Sequence, residues 1–307
     1  MDLKYLNTFK TILESGSFLN ASQKLNCTQS TVTFQVQQLE QELRVKLFEK
    51  VGRRMVATQA GKDMLPHIEA ILRTMAQLKN YGKHISEMTG LLKIALPETI
   101  FTYKIHPVLK SFREQAPGIR LEIETLNCHD IREKILAGSI DVGVHYDVGG
   151  YGDSVITGDL AEFPVVLVGS PSLDAESCDF AAAKQRKRLC MITNDNNSVF
   201  HNMFERYLKD RDIIFEESMH LGSIEAVKRS VVSNLGMAYL PRHVVAEELA
   251  AGHLREISLD GPPALISCIY AHHKNKWVSP AMQLFIELLQ QTLKPESGGA
   301  ENLAAAS

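Results

Sequence analysis

Over the first ninety positions apolar residues recur at helical spacing, and polar residues collect on the faces between them. Leu3, Leu6, Phe9, Ile12 and Leu13 are interrupted by Lys4, Lys10 and Glu14, the pattern of a packed amphipathic helix. Ser17 is the expected N-cap of a short helix to about Leu25, with Leu19, Ala21 and Leu25 available for packing. Asn26-Cys27-Thr28 breaks the pattern, because Asn tolerates turn geometry and Thr28 can cap a following helix. From Gln29 to about Leu43, Val32, Val36, Leu39 and Leu43 fall on one stripe. Ser30, Phe34, Gln37 and Gln41 point the other way, flanked by Thr33 and Gln38, and no carboxylate interrupts that face before Glu40. Residues 47–50, a turn at Gly52 and residues 55–57 then predict a small hairpin with Arg53 and Arg54 at its tip.

The next element is long. Thr58 caps a predicted helix to about Met88, in which Met64, Ile68, Ile71, Met75, Leu78 and Ile85 form a heptad seam interrupted at Gly82. Such a seam suits a partner helix from a second chain; it also suits packing on its own domain. Pro66 should bend this helix or mark a late start. From Gly90 the pattern alternates. Strands are expected at residues 92–96, 121–125 and 140–144, with a helix between each pair, and this order argues for a parallel sheet wrapped by helices. A second such unit begins at residues 165–168. It continues through a strand at 189–192, helices around 198–209 and 223–232 and a strand at 236–240, and a last helix spans 280–293. Residues 295–307 are small and polar, an expected disordered tail.

A short helix, a tight break, a helix with one polar face and a basic hairpin make the outline of a winged helix-turn-helix. Phosphate repels carboxylates, so an acid-free face suits a helix lying in a DNA groove. Gln pairs bidentately with adenine, and Thr methyls or the Phe34 ring can touch a thymine methyl. The candidate DNA contacts are therefore Gln29, Ser30, Thr31, Thr33, Phe34 and Gln37 on the helix, and Lys50, Arg53 and Arg54 on the hairpin. The competing reading is an ordinary surface helix followed by a solvated basic loop.

Charge supports the first reading. Residues 1–89 carry 12 Lys and Arg against 8 Asp and Glu, while the whole chain has a net charge of −3, so a basic head sits on an acidic body. The 307 residues suit two or three domains, and no apolar run is long enough to span a bilayer. The first helix is too interrupted for a signal peptide, and the expected location is cytoplasmic. Five cysteines, an odd number without a CxxC spacing, argue against a disulfide framework or a zinc site; Cys178 and Cys190 near the Lys184–Arg188 run leave a redox role conceivable beside ordinary thiols. His272-His273 lacks a carboxylate or cysteine partner at ligand spacing, so no metal site is expected. Neither GxSxG, HExxH, GxGxxG nor a P-loop is present, and no catalytic residue or cofactor is expected. An enzyme or solute-binding protein with accessory N-terminal helices, and a purely structural assembly module, remain as rivals.

The order of Ala21, Leu25, Gln29-Ser30-Thr31-Val32-Thr33, Leu39-Glu40, Leu47-Phe48 and Thr58-Gln59-Ala60-Gly61 resembles the LysR-type transcriptional regulators, in outline to about Lys294. Phe34 departs from that family, which often has an arginine there. The resemblance implies an α+β multidomain chain. Its parts would be a winged helix-turn-helix over 1–58, with the helix-turn-helix itself at about 18–37, a linker and dimerisation helix over 59–89, and a two-lobed α/β effector-binding domain over 90–294. That domain is similar to periplasmic solute-binding proteins, with lobe I at about 90–163 and 269–294 and lobe II at about 164–268. The crossings would lie near Phe163-Pro164 and Cys268-Tyr270. In such folds a ligand binds where loops leave the C-terminal ends of strands. This makes Glu98, Thr99, Asn127, His145, Thr193 and Ser223 the candidate effector contacts. The implied partners are double-stranded DNA, a second copy through the linker helix with assembly to a tetramer, a small-molecule effector, and RNA polymerase if the protein activates.

Overall fold

The structure, a computed structural model, describes residues 2–51, 54–80 and 84–293; the expected turn at Gly52, Arg53, the break at Gly82 and the tail lie outside it. The chain divides into two compact units, Met1–His84 and Ile85–Ser307.

In the first unit, α1 (Leu3–Ser15) starts at an Asp2 cap and ends at Gly16, whose φ of 71° closes the helix. Helix α2 (Phe18–Lys24) is capped by the Ser17 side chain and α3 (Gln29–Leu43) by that of Thr28, with Asn26 at φ 50° turning the chain between them. Val32, Val36 and Leu39 of α3 bury against Leu6, Phe9 and Ile12 of α1. Full burial of each such side chain stabilises by about 1.5–3 kcal/mol. Leu19 departs from expectation and is 55% exposed. Phe18 and Ala21 share the packed face of α2 and Leu19 lies about 100° away from Phe18, while Phe18 meets Phe48 edge-on at 5.2 Å.

Strands β1 (Phe48–Val51) and β2 (Arg54–Ala57) form the expected antiparallel hairpin, with Phe48 opposite Ala57 and Val51 opposite Arg54. Helix α4 (Gln59–Asn80) is shorter than the seam predicted. It begins at Gln59 and carries Pro66 in its interior, so Pro66 marks no late start. Ile85 does not continue the seam; it lies in a 3-10 turn, Ile85–Glu87, and packs against the core of the second unit. Within α4 the stripe divides. Ile68 is buried in the first unit's core with Met64, Leu65 and Leu72 against it, whereas Ile71 and Leu78 are exposed.

In the second unit, β3 (Gly90–Leu96), β4 (Ile119–Thr125) and β5 (Val142–Tyr146) run parallel, with β3 in the middle. Between them lie α5 (Glu98–Tyr103), α6 (His106–Gln115) and α7 (Cys128–Leu136); the single helix expected after β3 is thus two. The strand expected at 165–168 is the end of a longer one, β6 (Val155–Gly169), which crosses between the lobes and accommodates Pro164 just before gaining a second neighbour. After it come β7 (Arg186–Thr193), α8 (Val199–Asp210), β8 (Ile214–His220), α9 (Ile224–Val232), β9 (Ala238–Pro241), α10 (Ala246–Ala250), β10 (Arg255–Ile257), β11 (Ala264–His273) and α11 (Pro280–Thr292). Strand β11 returns antiparallel to β6, so one sheet of order β10-β6-β11-β5-β3-β4, with β9 also on β6, runs through both lobes. Strands β7 and β8 pair in parallel and join the rest through a bridge between Met191 and Met237. One apolar core follows this shared sheet, from Leu92 and Phe112 to Phe204 and Tyr239, and α11 closes it with Phe285 edge-on to Phe112 at 5.7 Å.

A close approach in the first unit is directly testable. A Cβ placed on Gly61 would lie 2.5 Å from the Leu47 carbonyl oxygen, and that carbonyl accepts from Thr58 N at 3.0 Å. Gly61→Ala is expected to destabilise the N-terminal unit by about 1–3 kcal/mol. Denaturant unfolding should show a lowered midpoint, and an unchanged midpoint would contradict this packing.

Candidate nucleic-acid interface and ligand cleft

Helix α3 presents the surface expected of it. Gln29, Ser30 and Gln37 are exposed, Phe34 is 54% exposed, and Thr31 and Thr33 are half-buried. Two hydroxyls are spoken for within the helix start. Thr33 Oγ1 donates to Gln29 O at 2.9 Å, and Thr31 Oγ1 shares a 2.8 Å hydrogen bond with Thr28 Oγ1. Amide tips, the Ser30 hydroxyl, threonine methyls and one aromatic ring therefore form the outer face. Lys50 is exposed on β1. Arg53 and the side chain of Arg54 lie outside the described residues.

What holds the hairpin to this helix is a residue that the sequence marked as the end of the acid-free face and as part of the Leu39-Glu40 pair in the family resemblance, with no structural role assigned to it. Glu40 is buried, on the Val36–Leu43 side of α3. Its Oε1 accepts from Leu47 N at 2.8 Å and Phe48 N at 3.2 Å, and its Oε2 accepts from Lys46 Nζ at 2.7 Å. Burial works against the charge, but the Lys46 ammonium and the two amides outweigh it and hold the carboxyl below its ordinary value. Leu47 then passes the connection on, its carbonyl accepting from Thr58 N and its side chain fully buried. Spacing held a signal here, since Glu40 follows Val36 by four and precedes Leu43 by three.

In the second unit a cavity of about 580 Å³ opens between the ends of β3, β4 and β5 on one side and the β7–α8 and β8–α9 loops on the other. Among its lining residues are Glu98, Thr99, Asn127, Tyr146, Asn194 and Asp195. Of the six expected contacts, Glu98, Thr99 and Asn127 line it and His145, Thr193 and Ser223 do not. His145 is off by one position. Val142, Val144 and Tyr146 of β5 face the large core, so Gly143 and His145 face α7 on the other side of the sheet. There the His145 Nδ1 bonds Tyr146 O at 2.9 Å, and burial pushes the imidazole down to about 4. Thr193 is buried and bonds the Asp195 backbone. Ser223 caps α9, accepting from Ala226 N at 3.2 Å. Asn127 caps α7 while still lining the cavity.

The cleft floor is a buried pair, Thr99 Oγ1 and Tyr146 OH at 2.9 Å. Burial raises the Tyr146 phenol well above its usual value, against the Thr99 hydrogen bond, and raises the Cys128 thiol to about 12, so both stay neutral. Two ties bridge the lobes across it. Both oxygens of Glu98 lie 3.3 Å from Ile224 N at the start of α9. Tyr103 donates to Glu225, and Lys228 donates to Tyr103 OH at 3.1 Å and to Glu248 at 2.8 Å. Tyr146, Asn194 and Asp195 were missed in the sequence. Each is one or two residues beyond an expected position, His145 or Thr193.

The remaining candidates are placed elsewhere. Cys178 accepts from Arg255 at 3.0 Å, and Cys190 is buried, its thiol pKa raised by that burial. His272 is buried with its Nδ1 against His273 O. Among the described residues no three His, Cys, Asp or Glu side chains group as metal ligands, and no helix is long and apolar enough to cross a membrane.

A family profile described as "Bacterial regulatory helix-turn-helix protein, lysR family" matches residues 3–62, and one described as "LysR substrate binding domain" matches residues 86–294. The chain is 44% identical over 292 residues to the "Uncharacterized HTH-type transcriptional regulator YfiE" of Escherichia coli strain K12, spanning 95% of this chain and 99% of that protein. It is 29% identical over 295 residues to the regulator YwqM of Bacillus subtilis strain 168, spanning 96% and 100%. Full-length CbnR in complex with its target DNA is similar in fold, with a TM-score of 0.61 at 19% identity over 95% of this chain and 100% of that one.

Glu40 also yields a pH dependence. Its folded carboxyl titrates below the ordinary 4.5, so its stabilisation is fully present above that value and is lost as pH falls through the folded pKa. Glu40→Ala leaves two buried amides unpaired, at about 1–3 kcal/mol each. Glu40→Gln keeps one acceptor, and its deficit against wild type is expected to shrink below pH 4.5. Unfolding midpoints across an acid series check this; a deficit that stays constant would remove the ionised carboxylate from the account.

Proposed function

The chain belongs to the lysR family of bacterial regulatory helix-turn-helix proteins, and we propose from that premise how its two sites are used. It is a DNA-binding transcriptional regulator with an effector-binding domain, a regulator and not an enzyme, as its named relatives are. In the proposed mechanism α3 lies in the major groove, with Gln29, Ser30, Thr31, Thr33, Phe34 and Gln37 towards base edges and phosphates. Lys50, Arg53 and Arg54 on the hairpin hold the flanking backbone. The observation that carries this is the outer face of α3, polar and free of carboxylate, while the buried carboxylate of Glu40 fixes the hairpin beside it.

A single α3 covers only a few base pairs, so a two-fold dimer reading a pseudo-palindrome suits this surface. The exposed Ile71 and Leu78 on α4, seven apart, are the seam that a second copy would cover, with further assembly to a tetramer. The cavity around Thr99 and Tyr146 receives a small-molecule effector. The effector switches the regulator by binding two lobe arrangements unequally, since equal binding shifts nothing. The protein acts in the cytoplasm, and an RNA polymerase contact follows if it activates.

Fluorescence titration of the intergenic DNA beside its own gene tests the first half. Arg53→Ala/Arg54→Ala is expected to weaken binding, keep the fold, and reduce the salt slope by about 0.9 for each phosphate left without its cation. Phe34→Ala should abolish discrimination between thymine and deoxyuridine at one operator position, a difference of about 0.8 kcal/mol. No binding by the wild type at low salt would sink the proposal. Ile71→Asp/Leu78→Asp tests the second: sedimentation should show smaller species than the wild type, and unchanged assembly would rule out this seam.

A further inference from the structure

The lining of the effector cavity is chemically one-sided. Among the described residues its only charged side chains are Glu98 and Asp195, and no lysine, arginine or histidine lines it. Asn194 Oδ1 is shielded from solvent and has no hydrogen-bond partner among them. The Thr99 and Tyr146 hydroxyls are already paired with each other. Around these polar groups stand Phe101, Leu126, Val199 and Phe200, which offer an apolar wall.

An anionic ligand fits this lining badly. The described lining supplies no cation to balance it, and two carboxylates repel it. The amide at the start of α9, which would attract an anion, is occupied by the chain's own Glu98, whose two oxygens are both 3.3 Å from Ile224 N. A ligand carrying a positive hydrogen-bond donor meets the opposite conditions. A carboxylate has about four lone-pair sites, so Glu98 can accept from a ligand while still facing Ile224 N. Asp195 accepts from Asn197 N through Oδ1, which leaves further lone pairs on the group, and Asn194 Oδ1 supplies a neutral acceptor. Three acceptors match the three donors of a primary ammonium.

We propose that the effector is a small amine: a primary ammonium group bound by Glu98, Asp195 and the Asn194 carbonyl, with a short hydrocarbon part against Phe101, Leu126 and Phe200. This rests on the reading of the cavity as the effector site. It also connects binding to the switch, because Glu98 is one of the two ties between the lobes and a ligand on its carboxylate acts directly on that tie.

The test uses the full-length protein and matched trios of compounds, such as L-leucine, 3-methylbutylamine and 4-methylpentanoate, with smaller and more polar homologues. Thermal shift followed by calorimetry is expected to show binding by members that carry the ammonium and none by the carboxylates that lack it. L-Leucine against 3-methylbutylamine then separates amino acids from simple amines. Glu98→Gln and Asp195→Asn, each close in shape to the original, should weaken the amine by about tenfold or more. Two variants are used so that failure of one to fold leaves the other. Binding of a carboxylate as tightly as its matching amine overturns the proposal, as does amine binding indifferent to both substitutions, or no binding by any amine at its solubility limit. Operator titration of the ligand-free wild type runs in parallel. Intact DNA binding beside a failed amine panel refutes the ligand class alone, whereas absent DNA binding refutes the regulator mechanism.

Discussion

A buried carboxylate bound to two backbone amides is the constraint on which the placement of the hairpin beside the exposed face of α3 depends. Removing Glu40 from water is costly, and only the Leu47 and Phe48 amides together with the Lys46 ammonium offset that cost. The geometry that satisfies them is narrow, so the first residues of the hairpin are held at one place along α3. From Leu47 the constraint continues through its carbonyl to Thr58, the residue before α4, and on to Gly61, where a side chain would strike that carbonyl. Helix α3, the hairpin and helix α4 therefore share one anchoring point, built on a largely buried carboxylate.

The same logic, with different chemistry, operates in the second unit. Its lobes share a sheet through β6 and β11, so relative movement has to be absorbed in those two strands and in the contacts across the cavity. Those contacts combine apolar packing, Tyr146 edge-on to Phe200 at 6.4 Å, with polar ties, Glu98 on the α9 amide and Tyr103 on Glu225 and Lys228. Polar contacts at a solvent-accessible cleft contribute modestly, because water competes for the same groups. Such ties are displaced more readily than the apolar packing that continues through both lobes.

Much of this was legible from local pattern. Ser17 and Thr28 sit where the capping rules place them, the Val32–Val36–Leu39 stripe is buried, and Phe34 and Gln37 face outward. The failures are equally local in origin. Leu19 looked like a core residue, yet on a helix of seven residues the larger Phe18 occupies the packed face. Strand β8 escaped notice because IFEESMH is largely exposed and carries no alternation strong enough to mark a strand. His145 was expected in the cleft where Tyr146 stands, because a strand turns its side chains over at every residue and the end of β5 lies one position further on.

Periodicity and capping in the sequence determined most of the helices and the strands of the first lobe, which face of α3 is outward, and that an α/β body follows the linker, while β8, β10 and β11 carried no such signal. These depend on neighbours a few residues apart, which any window of sequence contains. Tertiary structure alone decided that Glu40 binds the Leu47 and Phe48 amides, that Ile85 belongs to the second unit and not to the α4 seam, and that Asn194 and Asp195 join Glu98 in one cavity. The cavity and the placement of Ile85 depend on groups far apart along the chain, and the Glu40 contacts on a turn that folds residues 46–48 back onto α3. The free energy of a charge or a polar atom is set by what surrounds it in space, which spacing along the sequence does not encode.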